Sequence, residues 1–190
     1  MPPGLRRIVV FICMASHWLR FEWDLSGVPQ NADEIPSPLV VRDATKEEEA
    51  AVLKVIASSF SMDTGWADIH KPLLARLTGE VEKAFEDKDT PSCIVLQYGN
   101  RIIGCSVLNL EEDAENHLVT GPCVLHEYRS RSMGSGLLGA SLLRLRKAGL
   151  RKAYGVTRIK TISARFLYPK FAGKSAEWVT EFDATPKLAA

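Results

Sequence analysis

The stretch that most constrains this chain is His126-Glu127-Tyr128-Arg129-Ser130-Arg131-Ser132-Met133-Gly134-Ser135-Gly136-Leu137-Leu138. A strand-like run passes there through a loop of small residues straight into a leucine-rich helical pattern. A helix start leaves backbone N–H groups without partners, and the helix dipole puts partial positive charge at the same end. An anion fits such a place. Gly134 and Gly136 have no Cβ, which lets a ligand approach the backbone closely, and Arg129 and Arg131 add fixed charge beside the loop. Two glycines before a helix are equally the mark of a tight strand-to-helix turn, so these residues alone leave both readings open.

Periodicity supplies the elements around the loop. Leu39 to Ala44 reads as a short strand. Thr45 and Glu48 form a capping box before a helix in which Val52, Val55, Ile56, Ser59 and Phe60 recur at helical spacing. Met62 to His70 is a loop carrying Trp66, Asp68 and His70. Pro72 opens a second helix with Leu73, Leu74, Leu77, Val81 and Phe85 on its buried face. Ser92 to Tyr98 and Arg101 to Leu110 flank Gly99-Asn100 as a hairpin. In a third strand, His117 to His126, the pair Gly121-Pro122 breaks the ladder, because proline cannot donate, and predicts either a bulge or an edge strand. A helix from Gly134 to Ala148 follows, with Leu138, Leu142 and Leu145 on one stripe. Tyr154 to Ile162 is a strand, Ala164 to Tyr168 a short helical piece, and Ala176 to Phe182 a candidate last strand. This order predicts an α/β or α+β fold with helices packed on a sheet.

The 190 residues suffice for one domain with an appendage. Residues 1–38 read as an N-terminal extension and linker, and 39–190 as the domain. Arg6-Arg7 before the apolar run Ile8 to Ala15 resembles a signal peptide, although the run is short for that and far too short to span a bilayer. His17 to Asp24, with two tryptophans, suits an extra strand or hairpin. With 46% hydrophobic and 25% charged residues the chain is of ordinary globular type. Twenty-four basic against 23 acidic residues argue against nucleic acid or an anionic membrane as partner. Cys13, Cys93, Cys105 and Cys123 are scattered in apolar runs without a Cys-x-x-Cys pair, which indicates reduced thiols, a cytoplasmic setting and no metal site.

From Gly121 to Gly173 the passage resembles the GNAT superfamily of acyl-CoA-dependent N-acyltransferases, and the likeness extends over roughly residues 39 to 175. Their central motif, Arg/Gln-x-x-Gly-x-Gly/Ala, is matched literally by Arg131-Ser132-Met133-Gly134-Ser135-Gly136. An overlapping frame, Arg129-Ser130-Arg131-Ser132-Met133-Gly134, puts Ser132 where the family has its first glycine. The resemblance implies a mixed, mainly antiparallel central sheet with helices on both faces. Its bulged central strand splays from a parallel neighbour to admit the pantetheine arm. It also implies that Cys123, Val124, Leu125 and the loop Arg129, Ser130, Arg131, Ser132, Met133, Gly134, Ser135 and Gly136 hold acetyl-CoA as co-substrate. The acceptor would be a primary amine on a small molecule or peptide.

Acyl transfer needs a neutral amine, a donor for the oxyanion and a proton for the departing thiolate. An alkylamine with a pKa of about 10 is mostly protonated at neutral pH, so a base or water chain helps. A backbone N–H freed by a bulge, at Cys123 or Val124, suits the oxyanion. The resemblance points to Tyr168 as the proton donor, and to Glu115, His117 and His126 as candidate bases. Glu127 reads as a salt-bridge partner of Arg129 and Arg131. The family's asparagine before the tyrosine is replaced here by Thr161-Ile162-Ser163, which favours the alternative of a non-catalytic acyl-CoA-binding module. Arg158, Lys160, Arg165 and Lys170 are candidates for a basic rim. The family usually ends with two further strands where this chain offers one candidate, so a strand is expected from residues 1–38 or from a second copy in a homodimer.

Overall fold

The computed structural model describes residues 17–86, 90–129 and 132–183. The signal-like segment 1–16 and the loop residues Ser130 and Arg131 lie outside the described residues.

Among the described residues, seven strands form two antiparallel sheets. One holds β2 (Leu39–Asp43), β3 (Cys93–Tyr98), β4 (Arg101–Val107) and β5 (Cys123–Val124), side by side in that order. The other runs β6 (Lys152–Arg158), β1 (Trp18–Asp24), β7 (Lys174–Trp178). The missing strand therefore comes from the N-terminal segment: β1 pairs with β6 along its whole length and with β7 on its other side. Its aromatic residues explain the place it takes. Trp18, Phe21 and Trp23 are buried, and a strand that carries so much apolar area is stabilised between two neighbours. The sheet thus includes residues upstream of Leu39.

The hairpin of β3 and β4 turns at Gly99, whose φ of 55° suits a residue without a Cβ. Three longer helices flank the strands: α1 (Glu49–Ser61), α2 (His70–Phe85) and α3 (Met133–Lys147). A single turn, Lys46–Glu48, precedes α1. Glu48 there accepts from the Thr45 N–H at 2.8 Å and from the Arg42 guanidinium, which holds its carboxyl down to about 2. α1 packs on β4, β5 and α2, and α3 packs on β3 and β4.

The segment between β1 and β2 lies directly on α3. Arg146 donates to the carbonyls of Leu25 and Val28 at 3.2 and 2.8 Å. A Cβ at Gly139 would overlap the Ala32 carbonyl, and one at Gly136 would overlap the Ile35 side chain. Gly136 is thus needed for helix-to-segment packing, not for the ligand approach its place in the loop suggested.

Candidate active site

The third strand expected from His117 to His126 is reduced to β5, with one isolated bridge before it. Cys123 lies opposite Cys105, and Leu118 opposite Leu108. The path from 118 to 123 therefore carries two more residues than the path from 105 to 108 that it faces. This is the bulge expected at Gly121-Pro122. Gly121 has φ 62°, and the Thr120 hydroxyl accepts from the Val107 N–H at 3.0 Å in place of a backbone carbonyl.

Register decides which backbone groups face outward. The Leu125 N–H donates to Ile103 O at 2.9 Å, so that pair is of the hydrogen-bonded kind. Such pairs alternate in an antiparallel ladder, and Val124 opposite Gly104 turns its N–H and C=O away from β4. The Val124 carbonyl accepts from Ser59 Oγ at 3.2 Å and from Arg129 Nε at 3.0 Å. Of the two residues expected to offer a free N–H, Val124 is the one so oriented.

At the start of this path the two sheets are fastened together. The N–H groups of His117 and Leu118 donate to Tyr154 O at 2.8 and 3.1 Å, and the Val156 N–H donates to Asn116 Oδ1 at 3.1 Å. Beyond that junction β5 and β6 belong to different sheets. A cleft of about 1020 Å³ opens there, lined on one side by Thr120, Pro122, Cys123 and Val124 and on the other by Val156 and Thr157. That volume is at the upper end for small-molecule sites.

The helix start forms one end of the cleft, where Ser132, Met133, Gly134 and Ser135 line it. The first helical bond runs from the Gly136 N–H to Ser132 O at 2.9 Å, which leaves the N–H groups of Met133, Gly134 and Ser135 outside the ladder. Ser132 takes a left-handed φ of 61°, the conformation that favours glycine. A Cβ at Gly134 would meet only the Leu167 side chain at 3.7 Å, so this glycine leaves open space. Arg129 is turned inward: besides Val124 O, its guanidinium donates to Ser59 O at 3.0 Å. Arg129 therefore ties β5 to α1 and does not stand free beside the loop. Glu127 pairs with Arg101 at 3.2 Å rather than with Arg129. Leu125 is buried and engaged with β4, not among the lining residues.

Tyr168 follows a wide helical turn, Ser163–Leu167, and its N–H closes that turn on Ser163 O at 2.8 Å. Its ring stands edge-on to Phe21 and Trp23, each at 5.3 Å. The side chain is 2% exposed yet borders the cleft. Burial, with the Cys123 thiol beside it, pushes the hydroxyl pKa well above the ordinary tyrosine range. The group is therefore a neutral donor at all working pH values.

Glu115 and His126 also line the cleft. His117 does not. Its Nδ1 accepts from the Tyr154 N–H at 3.0 Å, which leaves the proton on Nε2, 3.0 Å from Glu111 O. The ring is stacked on Tyr154 and burial lowers its pKa. Both ring nitrogens are thus engaged in the junction between the sheets. Of the candidate specificity residues, Trp66 lines the cleft. Asp68 is held by Arg158, which depresses its pKa, and His70 lies 3.1 Å from Ser61 Oγ. Among the described residues no cluster could hold a metal ion, and no helix is long and apolar enough to cross a membrane.

Residues 59–173 match the sequence model of the acetyltransferase (GNAT) family. The chain belongs to this family. The match spans the end of α1, α2, the bulge, the loop and Tyr168, so the GNAT relationship rests on most of the elements that build the cleft. Solved structures agree in fold. A GCN5-related N-acetyltransferase from Sphaerobacter thermophilus superposes with a TM-score of 0.58 at 16% identity, over 85% of this chain and 49% of that one. A Drosophila protein gives 0.57 at 12% identity, over 85% and 48%. The glucosamine N-acetyltransferase region of a fungal multi-domain β-N-acetylglucosaminidase gives 0.55 at 17% identity, over 85% and 20%. The chain spans about half the length of the first two. No curated protein sequence matches it. Fold and family make it an acetyltransferase-type domain of mixed α and β structure with antiparallel sheets.

Proposed function

We propose that this protein is an N-acetyltransferase that moves an acetyl group from acetyl-CoA to a primary amine. The observation that carries the reading is the convergence, on one cleft, of the outward N–H of Val124, the neutral hydroxyl of Tyr168 and the helix start at Ser132–Ser135. The donor fits these residues. The N–H groups of Met133, Gly134 and Ser135 at this helix start have no partner among the described residues and suit a pyrophosphate, and the slot between β5 and β6 suits a narrow pantetheine arm. Ser130 and Arg131 would join the phosphate loop by their place in the motif.

Each residue then has a task. The Val124 N–H stabilises negative charge on the carbonyl oxygen as the amine attacks. Tyr168 hydrogen-bonds the departing thiolate sulfur and passes it a proton, and the phenolate so formed regains a proton from the one the amine releases, while the raised pKa keeps the hydroxyl protonated between turnovers. Glu115, at the rim of the cleft, is placed to take the amine's proton through water. His117 is assigned to holding the sheets together, since neither nitrogen has a free position.

The test is calorimetric titration of acetyl-CoA and of free coenzyme A into the wild type and a Gly134→Glu variant. A residue with a Cβ fits at position 134, so the variant changes charge at the helix start more than packing. Binding by the wild type that the variant loses, with thiol release when amines are added, supports the reading. A folded wild type that binds neither ligand overturns it.

A further inference from the structure

The cleft continues past Val124 between β1, α1 and α2, and this half faces the acceptor if the donor lies on the α3 side. We infer that the acceptor is a cationic primary alkylamine whose chain carries an aromatic ring and no carboxylate. The inference rests on the acyltransferase reading above and adds the chemistry of the second substrate.

Two independent features of this half carry it. The first is an aromatic wall. Trp66 lies 5.2 Å from Phe60 and 5.7 Å from Trp18, at tilted angles. All three border the cleft. They come from three separate elements, β1, α1 and the loop before α2, and meet only here. Trp18 is stacked on Phe182 at 5.7 Å on one side, and the faces of the wall that remain suit a ring and a cation held over it. Leu73 and Leu77 of α2 extend the apolar surface.

The second is charge. Among the described residues, Asp63, Glu80, Glu115 and Glu181 line the cleft together with the cations Arg76, Arg129 and Lys170, so carboxylates outnumber cations there. Arg76 is matched by Glu181 at 3.0 Å. Arg129, toward the donor side, is spent on the carbonyls of Val124 and Ser59. A substrate carboxylate would thus enter an excess of negative charge and find these guanidiniums already engaged, whereas an ammonium is drawn in. The charge also concentrates the protonated amine beside Glu115, where its proton must leave.

Tryptamine, tryptophan and ethylamine separate the ring from the carboxylate. Each is titrated calorimetrically into the full chain saturated with coenzyme A, and initial rates of thiol release from acetyl-CoA are measured with each. Tryptamine is expected to bind, and to exceed both others at least tenfold in kcat/KM. Equal use of tryptophan, equal use of ethylamine, or failure of tryptamine to bind while coenzyme A binds would overturn the inference and leave the acyltransferase reading standing. If coenzyme A itself fails to bind, that reading falls. The inference, which names the acceptor of that reaction, then falls with it. Because the comparison uses the wild type, no variant has to fold.

Discussion

The Tyr168 hydroxyl lies against the α-carbon of Gly121, so close that an added Cβ would overlap it. The residue that breaks β5 therefore also makes room for the proposed acid. Two substitutions separate these roles. Tyr168→Phe leaves packing nearly intact and removes the proton, so kcat is expected to fall on the order of 100-fold or more, with coenzyme A affinity unchanged by calorimetry. Gly121→Ala is expected to lower kcat as far and also to destabilise the fold, because φ of 62° is costly for alanine as well. A Tyr168→Phe enzyme with wild-type kcat would remove Tyr168 from the mechanism.

Ser132 holds a left-handed φ of 61° at the entry to α3 without a side-chain cap bond. A left-handed residue costs roughly 1–2 kcal/mol, and glycine gives back part of that gain through the freer unfolded chain, about 0.4–1 kcal/mol. Ser132→Gly is expected to stabilise by about 0.5–1 kcal/mol in urea unfolding. A loss of stability would mean that the serine hydroxyl contributes more than its backbone strain costs.

Much of this was legible in the residues. The bulge followed from Gly121-Pro122, the helix start from the glycine loop, and the need for another strand from the shortage after Gly173. What could not be read were assignments that depend on long-range partners. Arg129 and Arg131 look alike in sequence, yet Arg129 is drawn to two carbonyls, one of them on α1. Gly136 looks like part of the phosphate loop, but its missing Cβ accommodates Ile35, a hundred residues earlier. His117 falls in the stretch that reads in sequence as a strand carrying candidate bases, and only the approach of Tyr154 shows that its nitrogens are taken. Trp18 lies outside the stretch that matches the family, so nothing local marks it as part of the cleft.

His117 has a pH signature. Burial keeps it neutral, so its folded pKa lies below the usual value of about 6.5. The unfolded chain therefore binds the proton first as pH falls. Stability from this group is complete above about pH 6.5 and is lost as pH drops toward the folded pKa. His117→Gln, which keeps one donor and one acceptor, is expected to flatten the fall in melting temperature between pH 7 and 5. An unchanged slope would place the acid sensitivity elsewhere.

Trp23 tests whether β1 belongs to the catalytic unit. It is fully buried, its Nε1 donates to Lys170 O at 3.0 Å, and its ring supports Tyr168 edge-on at 5.3 Å. Large-to-small changes of a buried aromatic cost about 3–5 kcal/mol, and here the cavity would open under Tyr168. Trp23→Ala is expected to lose stability in that range. Trp23→Phe keeps the ring contact but drops the hydrogen bond and part of the volume, so it should cost less, about 1–3 kcal/mol. With the Phe variant folded, kcat should fall while the affinity for coenzyme A, whose proposed site is at the far end of the cleft, is retained. Equal loss of both would mean that β1 supports the whole sheet and not the tyrosine in particular.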